Sequence, residues 1–193
     1  PRLPPPSRIT ELTGATVGIF GLGAIGRAVA ERVAAFGTTT FAIDPGPSDV
    51  PASVRECWDL DRLDDLCRLS NFLVIAAPAL DTTRNSIDAR RIALMPEGSY
   101  VIVISRGKIV DEDALCDALE SGHLAGAALD ATAEEPLAED SRLWTLSNVI
   151  LTPHSSALTP ELYEMRRDAF RANLRRFETG EPLENICNKT AGF

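Results

Sequence analysis

The sequence has no apolar stretch near the ~20 residues that a bilayer-spanning helix needs, and no signal-peptide pattern is read in it. Its longest apolar runs are strand-sized. It lacks the basic excess that nucleic-acid phosphates call for, because its net charge is −9 over 193 residues. Four cysteines (Cys57, Cys67, Cys116, Cys187) are scattered, and no pair has C-x-x-C spacing. Two histidines, His123 and His154, do not complete a zinc pattern with them, so no metal site is expected. The thiols read as reduced and mostly buried or incidental, which suits a cytoplasmic protein. There is no repeat of solenoid length and no low-complexity tract beyond Pro1–Pro6.

What is present is ordinary globular composition, with 45% hydrophobic and 24% charged residues, in a chain long enough for one well-buried domain. Apolar runs alternate with helical patterns. The strands predicted are 17–20, 39–43, 72–76, 100–104, 125–129 and 149–151. The helices predicted are 24–36, 60–69, a short turn near 88–94, 111–121, and a long one from Pro160 to about Thr179. Thr159 and Pro160 mark the start of that last helix, and Gly180 marks its stop. Most of the strand runs are continuously apolar, not alternating. That indicates an α/β fold of Rossmann type, a doubly wound parallel sheet with helices on both faces.

The most informative stretch runs from Val17 to Gly26 and ends in Gly21-Leu22-Gly23-Ala24-Ile25-Gly26. Strand, glycine turn and helix in that order cradle a dinucleotide pyrophosphate. Gly21 serves the tight turn, Gly23 the close approach of the phosphates, and Gly26 the helix–strand packing. The helix N-terminus then offers N–H groups and partial positive charge. A second apolar run ends in Asp44, near the ~20-residue spacing at which a carboxylate accepts ribose hydroxyls. The plainer alternatives are an ordinary βα turn, and a strand-end turn at Asp44-Pro45-Gly46. NAD is expected over NADP, since Asp44 repels a 2′-phosphate and the nearest downstream base is Arg55.

Three more signals follow strand ends, where ligands bind in open parallel sheets. Ser105-Arg106-Gly107 puts a guanidinium where it can fork onto a carboxylate, or alternatively onto a surface partner. Leu129-Asp130 leads to Glu134-Glu135-Pro136. Thr152-Pro153-His154 places an imidazole, the side chain that exchanges a proton near neutral pH. His123, beside Gly122 at a helix end, is expected to be a surface residue.

Together with Ala76-Ala77-Pro78 and Val110-Asp111-Glu112, these motifs resemble, in order, the D-isomer-specific 2-hydroxyacid dehydrogenase family from about Leu12 to about Asn185. The resemblance implies catalytic roles for three residues. Arg106 would bind the carboxylate and carbonyl oxygen of a small 2-hydroxy or 2-oxo acid. His154 would be the acid/base, and Glu135 would pair with it. It implies NAD binding by Gly21, Gly23, Ala24, Ile25, Gly26, Asp44 and Pro45. Ala77, Pro78, Thr83, Ile104, Ser105, Asp130 and Ser156 would complete the cofactor cleft together with Arg106 and His154. Glutamate at 135 looks like a hydroxyacid enzyme, because formate dehydrogenases of this fold usually carry glutamine there. The sequence departs from the family at Val103, where many members have asparagine, and at Ser155 and Ser156, where many have glycine or alanine.

The family carries a substrate domain ahead of the glycine loop, so this chain is expected to be a cofactor module. It divides into a proline-rich linker at 1–11, the NAD-binding domain at 12–180 and a returning tail at 181–193. The tail reads as an extended arm packed on something else, with Ile186–Phe193 mobile or borrowed by a neighbour. The fragment is expected to bind NAD with little turnover. Nucleic acid and membrane are not expected partners, and a homodimer is the family's typical assembly. The alternative is a NAD(H)-sensing interaction module of corepressor type. A short-chain enzyme is excluded, because Tyr100 and Tyr163 are followed four residues on by Ile104 and Arg167, not lysine.

Overall fold

The computed structural model describes residues 10–46 and 49–187. Residues 1–9 of the linker expected at 1–11 lie outside the described residues, as do 188–193 of the tail. The chain forms two compact units that meet between Pro153 and His154.

The first unit is a seven-stranded sheet with every neighbouring pair parallel. Its strands are β1 (Thr16–Phe20), β2 (Thr39–Ile43), β3 (Glu56–Trp58), β4 (Phe72–Ile75), β5 (Ser99–Val103), β6 (Leu124–Leu129) and β7 (Val149–Leu151). The order β3-β2-β1-β4-β5-β6-β7 reverses between β1 and β4. That reversal opens a crevice at the carboxyl ends of the two strands, where dinucleotides bind in such sheets. The helices are α1 (Ala24–Ala34), α2 (Leu63–Leu69), α3 (Ala89–Leu94) and α4 (Glu112–Glu120).

Two apolar clusters sandwich the sheet. Leu66 of α2, Ile92 of α3 and Leu115 of α4 pack with Phe20, Ile75, Val103 and Leu129 on one face. Ala30 of α1 packs with Val17, Ile19, Ala42 and Val74 on the other. The expected cover on both faces holds around β1. Toward β7 the α1 side thins out, and Ile150 is 68% exposed.

The edge strand β3 was not expected. Its three residues, Glu-Cys-Trp, are too short and mixed to register as an apolar run. The expected helix at 60–69 is a 3₁₀ turn (Leu60–Arg62) followed by α2.

His123 departs from its expected surface role. It is half-buried and its Nε2 lies 3.0 Å from the Ile92 carbonyl oxygen at the end of α3. Cys67 and Cys116 are buried, Cys57 is half-buried and Cys187 is exposed, all as free thiols. No helix among the described residues is long and apolar enough to cross a membrane.

The second unit contains α5 (Pro160–Thr179). The Thr159 side chain accepts the Leu162 N–H, and Gly180 closes the helix with φ 73°. No residue of α5 is buried. At the start of the tail, Asn173 and Glu184 exchange two hydrogen bonds of 2.9 Å. Arg176 also pairs with Glu181 and Glu184, so residues 181–184 fold back on α5.

Candidate functional site

The glycine loop joins β1 to α1 at the sheet's reversal point. Gly21 has φ 98°, a region that L side chains rarely adopt. A Cβ there would lie 2.4 Å from the Ala77 nitrogen, so only glycine lets the loop after β1 rest on the loop after β4. A Cβ on Gly26 would lie 2.1 Å from the Gly21 oxygen, which explains how closely α1 presses on the turn. Gly23 differs from both, because nothing lies within 4 Å of where its Cβ would be. Gly23 is also the N-cap of α1. No side chain caps the helix there and its first turn holds no acid. Ala24 and Ile25 are exposed beside it. An open approach to uncapped N–H groups at a positive helix end suits an anion.

Asp44 follows β2 and is half-buried. Its N–H donates to the Trp58 carbonyl at 3.0 Å. Its carboxylate accepts the Leu22 N–H at 2.8 Å and the Gly46 N–H at 3.1 Å. The acid is therefore fixed against the glycine loop, and each oxygen keeps a further lone pair for a hydroxyl donor. Pro45, next along, is exposed. Arg55 cannot serve this end, since its N–H donates to the Thr40 carbonyl near the opposite end of β2 and its guanidinium lies over the Phe41 ring. Cys57 sits beneath Asp44, where burial, and then the Asp44 carboxylate, push its thiol up.

The loop after β4 carries Ala77, which is buried, and Pro78, which is half-buried. Thr83 is also buried. Its hydroxyl donates to the Pro78 carbonyl at 2.7 Å and accepts the Leu80 N–H at 2.8 Å. That hydroxyl is engaged in shaping the loop.

After β5, Ile104 donates its N–H to the Ile75 carbonyl and is half-buried. Ser105 is buried, and among the described residues its hydroxyl has no hydrogen-bond partner. Arg106 is exposed and donates from Nη1 to the Ser105 carbonyl at 2.7 Å. Gly107 is pressed against the loop after β6, where a Cβ would lie 2.0 Å from the Thr132 carbonyl carbon.

In that next loop Asp130 is buried and accepts the Thr152 hydroxyl at 2.5 Å. Glu135 is exposed and accepts the Thr132 N–H at 3.3 Å. Glu112, the first residue of α4, accepts the Ala133 N–H. Burial pushes its carboxyl up, the Ala133 N–H pulls it back, and Asp113 raises it further.

The first unit thus gathers the glycine loop, Asp44, Ala77, Pro78, Thr83, Ile104, Ser105, Arg106, Asp130 and Glu135 at the carboxyl ends of five parallel strands. His154 and Ser156 belong to the second unit. Both are exposed, and His154 has φ 51°. Sequence reading gave Glu112 no role and missed the contact of Gly107 with the β6 loop. The signal available for Glu112 was an acid one residue past the N-cap Asp111, just after a strand-end motif.

The residues fit a dinucleotide: an uncapped helix end beside an unobstructed glycine, a carboxylate already aimed by a loop N–H, and an orphaned hydroxyl at the far end of the crevice.

Comparison with known proteins agrees. Residues 3–156 match the family model described as the D-isomer specific 2-hydroxyacid dehydrogenase, NAD binding domain. The chain is 37% identical over 181 residues to the D-3-phosphoglycerate dehydrogenase of Methanocaldococcus jannaschii, covering 92% of this chain and 34% of that one. It is 37% identical over 180 residues to the glyoxylate reductase of Thermococcus kodakarensis, covering 93% and 53%. The chain therefore spans about a third to a half of the length of these relatives. A crystal structure of a D-isomer specific 2-hydroxyacid dehydrogenase from Xanthobacter autotrophicus Py2, in complex with NADPH and MES, superposes with a TM-score of 0.84 at 35% identity. That match covers 93% of this chain and 73% of the other. The chain belongs to the D-isomer specific 2-hydroxyacid dehydrogenase family and is a NAD-binding domain of that family.

Proposed function

We propose that this chain is the cofactor half of an enzyme that interconverts a small 2-hydroxy acid and its 2-oxo acid. The observation that carries the reading is the pairing of an open, uncapped α1 N-terminus with a carboxylate fixed 2.8 Å from the Leu22 nitrogen. Bound NAD(H) supplies or receives the hydride. The chain's own residues then do the rest. The α1 N-terminus neutralises the pyrophosphate and Asp44 takes the ribose hydroxyls. Asp130, at the end of β6, accepts from the nicotinamide carboxamide.

Arg106 holds the substrate carboxylate in a forked, charge-assisted pair. To do so it exchanges its bond to the Ser105 carbonyl for the substrate. His154 gives a proton to the carbonyl oxygen as the oxo acid is reduced, and takes it back in the reverse direction. Glu135 is assigned, on the motif pattern alone, the role of partner to the His154 imidazole. These three roles rest on the motif pattern that Arg106, Glu135 and His154 share with the family. The relatives' names, phosphoglycerate dehydrogenase and glyoxylate reductase, favour a small carboxylate-bearing substrate. A homodimer is part of the same proposal, and sedimentation of the purified chain tests it. Nothing favours the corepressor-type module.

The site needs a second wall to exclude water and hold donor and acceptor in register. The purified chain is therefore expected to quench on NADH addition in a saturable way, yet to reduce glyoxylate, pyruvate and hydroxypyruvate at rates near the uncatalysed background. Turnover at ordinary enzyme rates, on the order of 10 per second, would contradict the division of labour proposed here.

A further inference from the structure

The loop after β6 carries both Asp130 and Glu135, and the segment from Gly107 to the start of α4 presses on its middle. Two observations show how. The Gly107 backbone lies so close to Thr132 and Ala133 that no side chain fits between them. Five residues further on, the Glu112 carboxylate reaches the Ala133 N–H, a contact spanning 21 positions in sequence. Glu112 itself is held on a firm base. Asp111 caps α4 through the Ala114 N–H at 3.1 Å, and Val110 bridges to Ile87. At its start the loop is tied to the sheet, where the Asp130 N–H donates to the Val103 carbonyl and its carboxylate accepts the Thr152 hydroxyl; further along, the Thr132 N–H bonds Glu135 and the Thr132 hydroxyl the Glu134 carbonyl.

An acid in the first turn of a helix ordinarily faces water and gains from the helix dipole. Glu112 is instead turned inward, half-buried, with its acceptor used on a loop amide. A charge-assisted hydrogen bond from a side chain seated on a rigid element fixes a loop better than contacts within the loop can.

We infer that Glu112 is a positioning residue: it clamps the Asp130–Glu135 loop against the Arg106–Gly107 loop and so sets the nicotinamide end of the cleft. This rests on the reading of Asp130 as the carboxamide acceptor. The burial that pushes the Glu112 carboxyl up is consistent with a group held out of water for this contact.

The test compares two ligands on the purified chain by calorimetry. ADP-ribose engages only the glycine loop and the Asp44 end, whereas NADH also reaches the loop after β6. E112A is expected to weaken NADH binding about tenfold, the scale of one charge-assisted hydrogen bond, while ADP-ribose affinity stays within about twofold of wild type. E112Q keeps an acceptor oxygen at the same reach and is expected to restore NADH binding. Equal loss of both ligands, no loss of either, failure of E112Q to rescue, or unfolding of E112A would overturn the assignment of Glu112 alone. Wild-type chain that binds ADP-ribose as tightly as NADH would overturn the role of Asp130, and this inference with it. Wild-type chain that binds neither would overturn the proposed function itself.

Discussion

Adding a methyl group to Gly21 and adding one to Gly23 are expected to fail in different ways. At Gly21 the new Cβ meets the Ala77 backbone at 2.4 Å and the residue is held at φ 98°. Neither the backbone nor the dihedral can give, so G21A is expected to lose at least about 2 kcal/mol of stability, as overpacked core sites do. A denaturant melt reads that loss. At Gly23 the new Cβ meets nothing, so the melt of G23A is expected to match wild type. The space it fills is the approach to the α1 N-terminus, and NADH affinity is expected to fall by about tenfold, or ~1.4 kcal/mol. A stable G23A that binds NADH as wild type does would remove the pyrophosphate from that loop. The glycines and Asp44 were legible in the sequence because their chemistry is local: a turn, a helix start and a strand end at fixed spacing. Glu112 and His123 were not legible. Their partners, Ala133 and Ile92, lie 21 and 31 positions away, and only the folded sheet brings them together.

Three helix starts in this chain, those of α3, α4 and α5, follow their side-chain signals. Asp88, Asp111 and Thr159 each accept an N–H from the first turn of the helix they precede. D111A is expected to cost about 1 kcal/mol, read as a melting-temperature drop of about 2–4 °C. The helix pair α2–α3 carries a pH dependence. Arg90 bonds both oxygens of Asp64 and Arg91 bonds one. The Arg90 guanidinium holds the Asp64 carboxyl well below the usual carboxylate range, against a smaller opposing effect of burial, and Arg91 adds to the depression. A depressed folded-state pKa contributes stability above the ordinary value, about 3.9. That contribution is lost as pH falls through the folded-state value. D64N is accordingly expected to melt about 2 °C below wild type near pH 7. The gap should close as the medium is taken below pH ~4, and a gap that persists unchanged in acid would contradict the ion-pair account. At this scale the long helix α5 and the strands β2 and β7 could be read to the residue, because clear caps or turns bound them. The edge strand β3 could not, since three mixed residues acquire a strand's identity only from their neighbour β2.

For the whole molecule, continuous apolar runs were enough to indicate a buried parallel sheet, and helices do lie on both of its faces. The thin cover near β7 was not legible. An isoleucine facing water and one facing a helix look alike in sequence, and Ile150 is of the first kind. The boundary at Pro153–His154 was equally hidden, because Thr152-Pro153-His154 reads as one motif while its histidine belongs to the second unit. The sheet, its reversal point and the loops that meet there make one claim about the molecule. We propose a dinucleotide site whose ribose end is set by the Asp44 carboxylate, which is expected to disfavour a 2′-phosphate; the Xanthobacter relative was solved with NADPH. Calorimetric titration of the purified chain with NADH, and in parallel with NADPH, tests it most directly. NADH is expected to bind saturably at one site, with NADPH weaker by about tenfold or more, a difference of ~1.4 kcal/mol. Binding of neither nucleotide, or NADPH binding as tight as NADH, would contradict it.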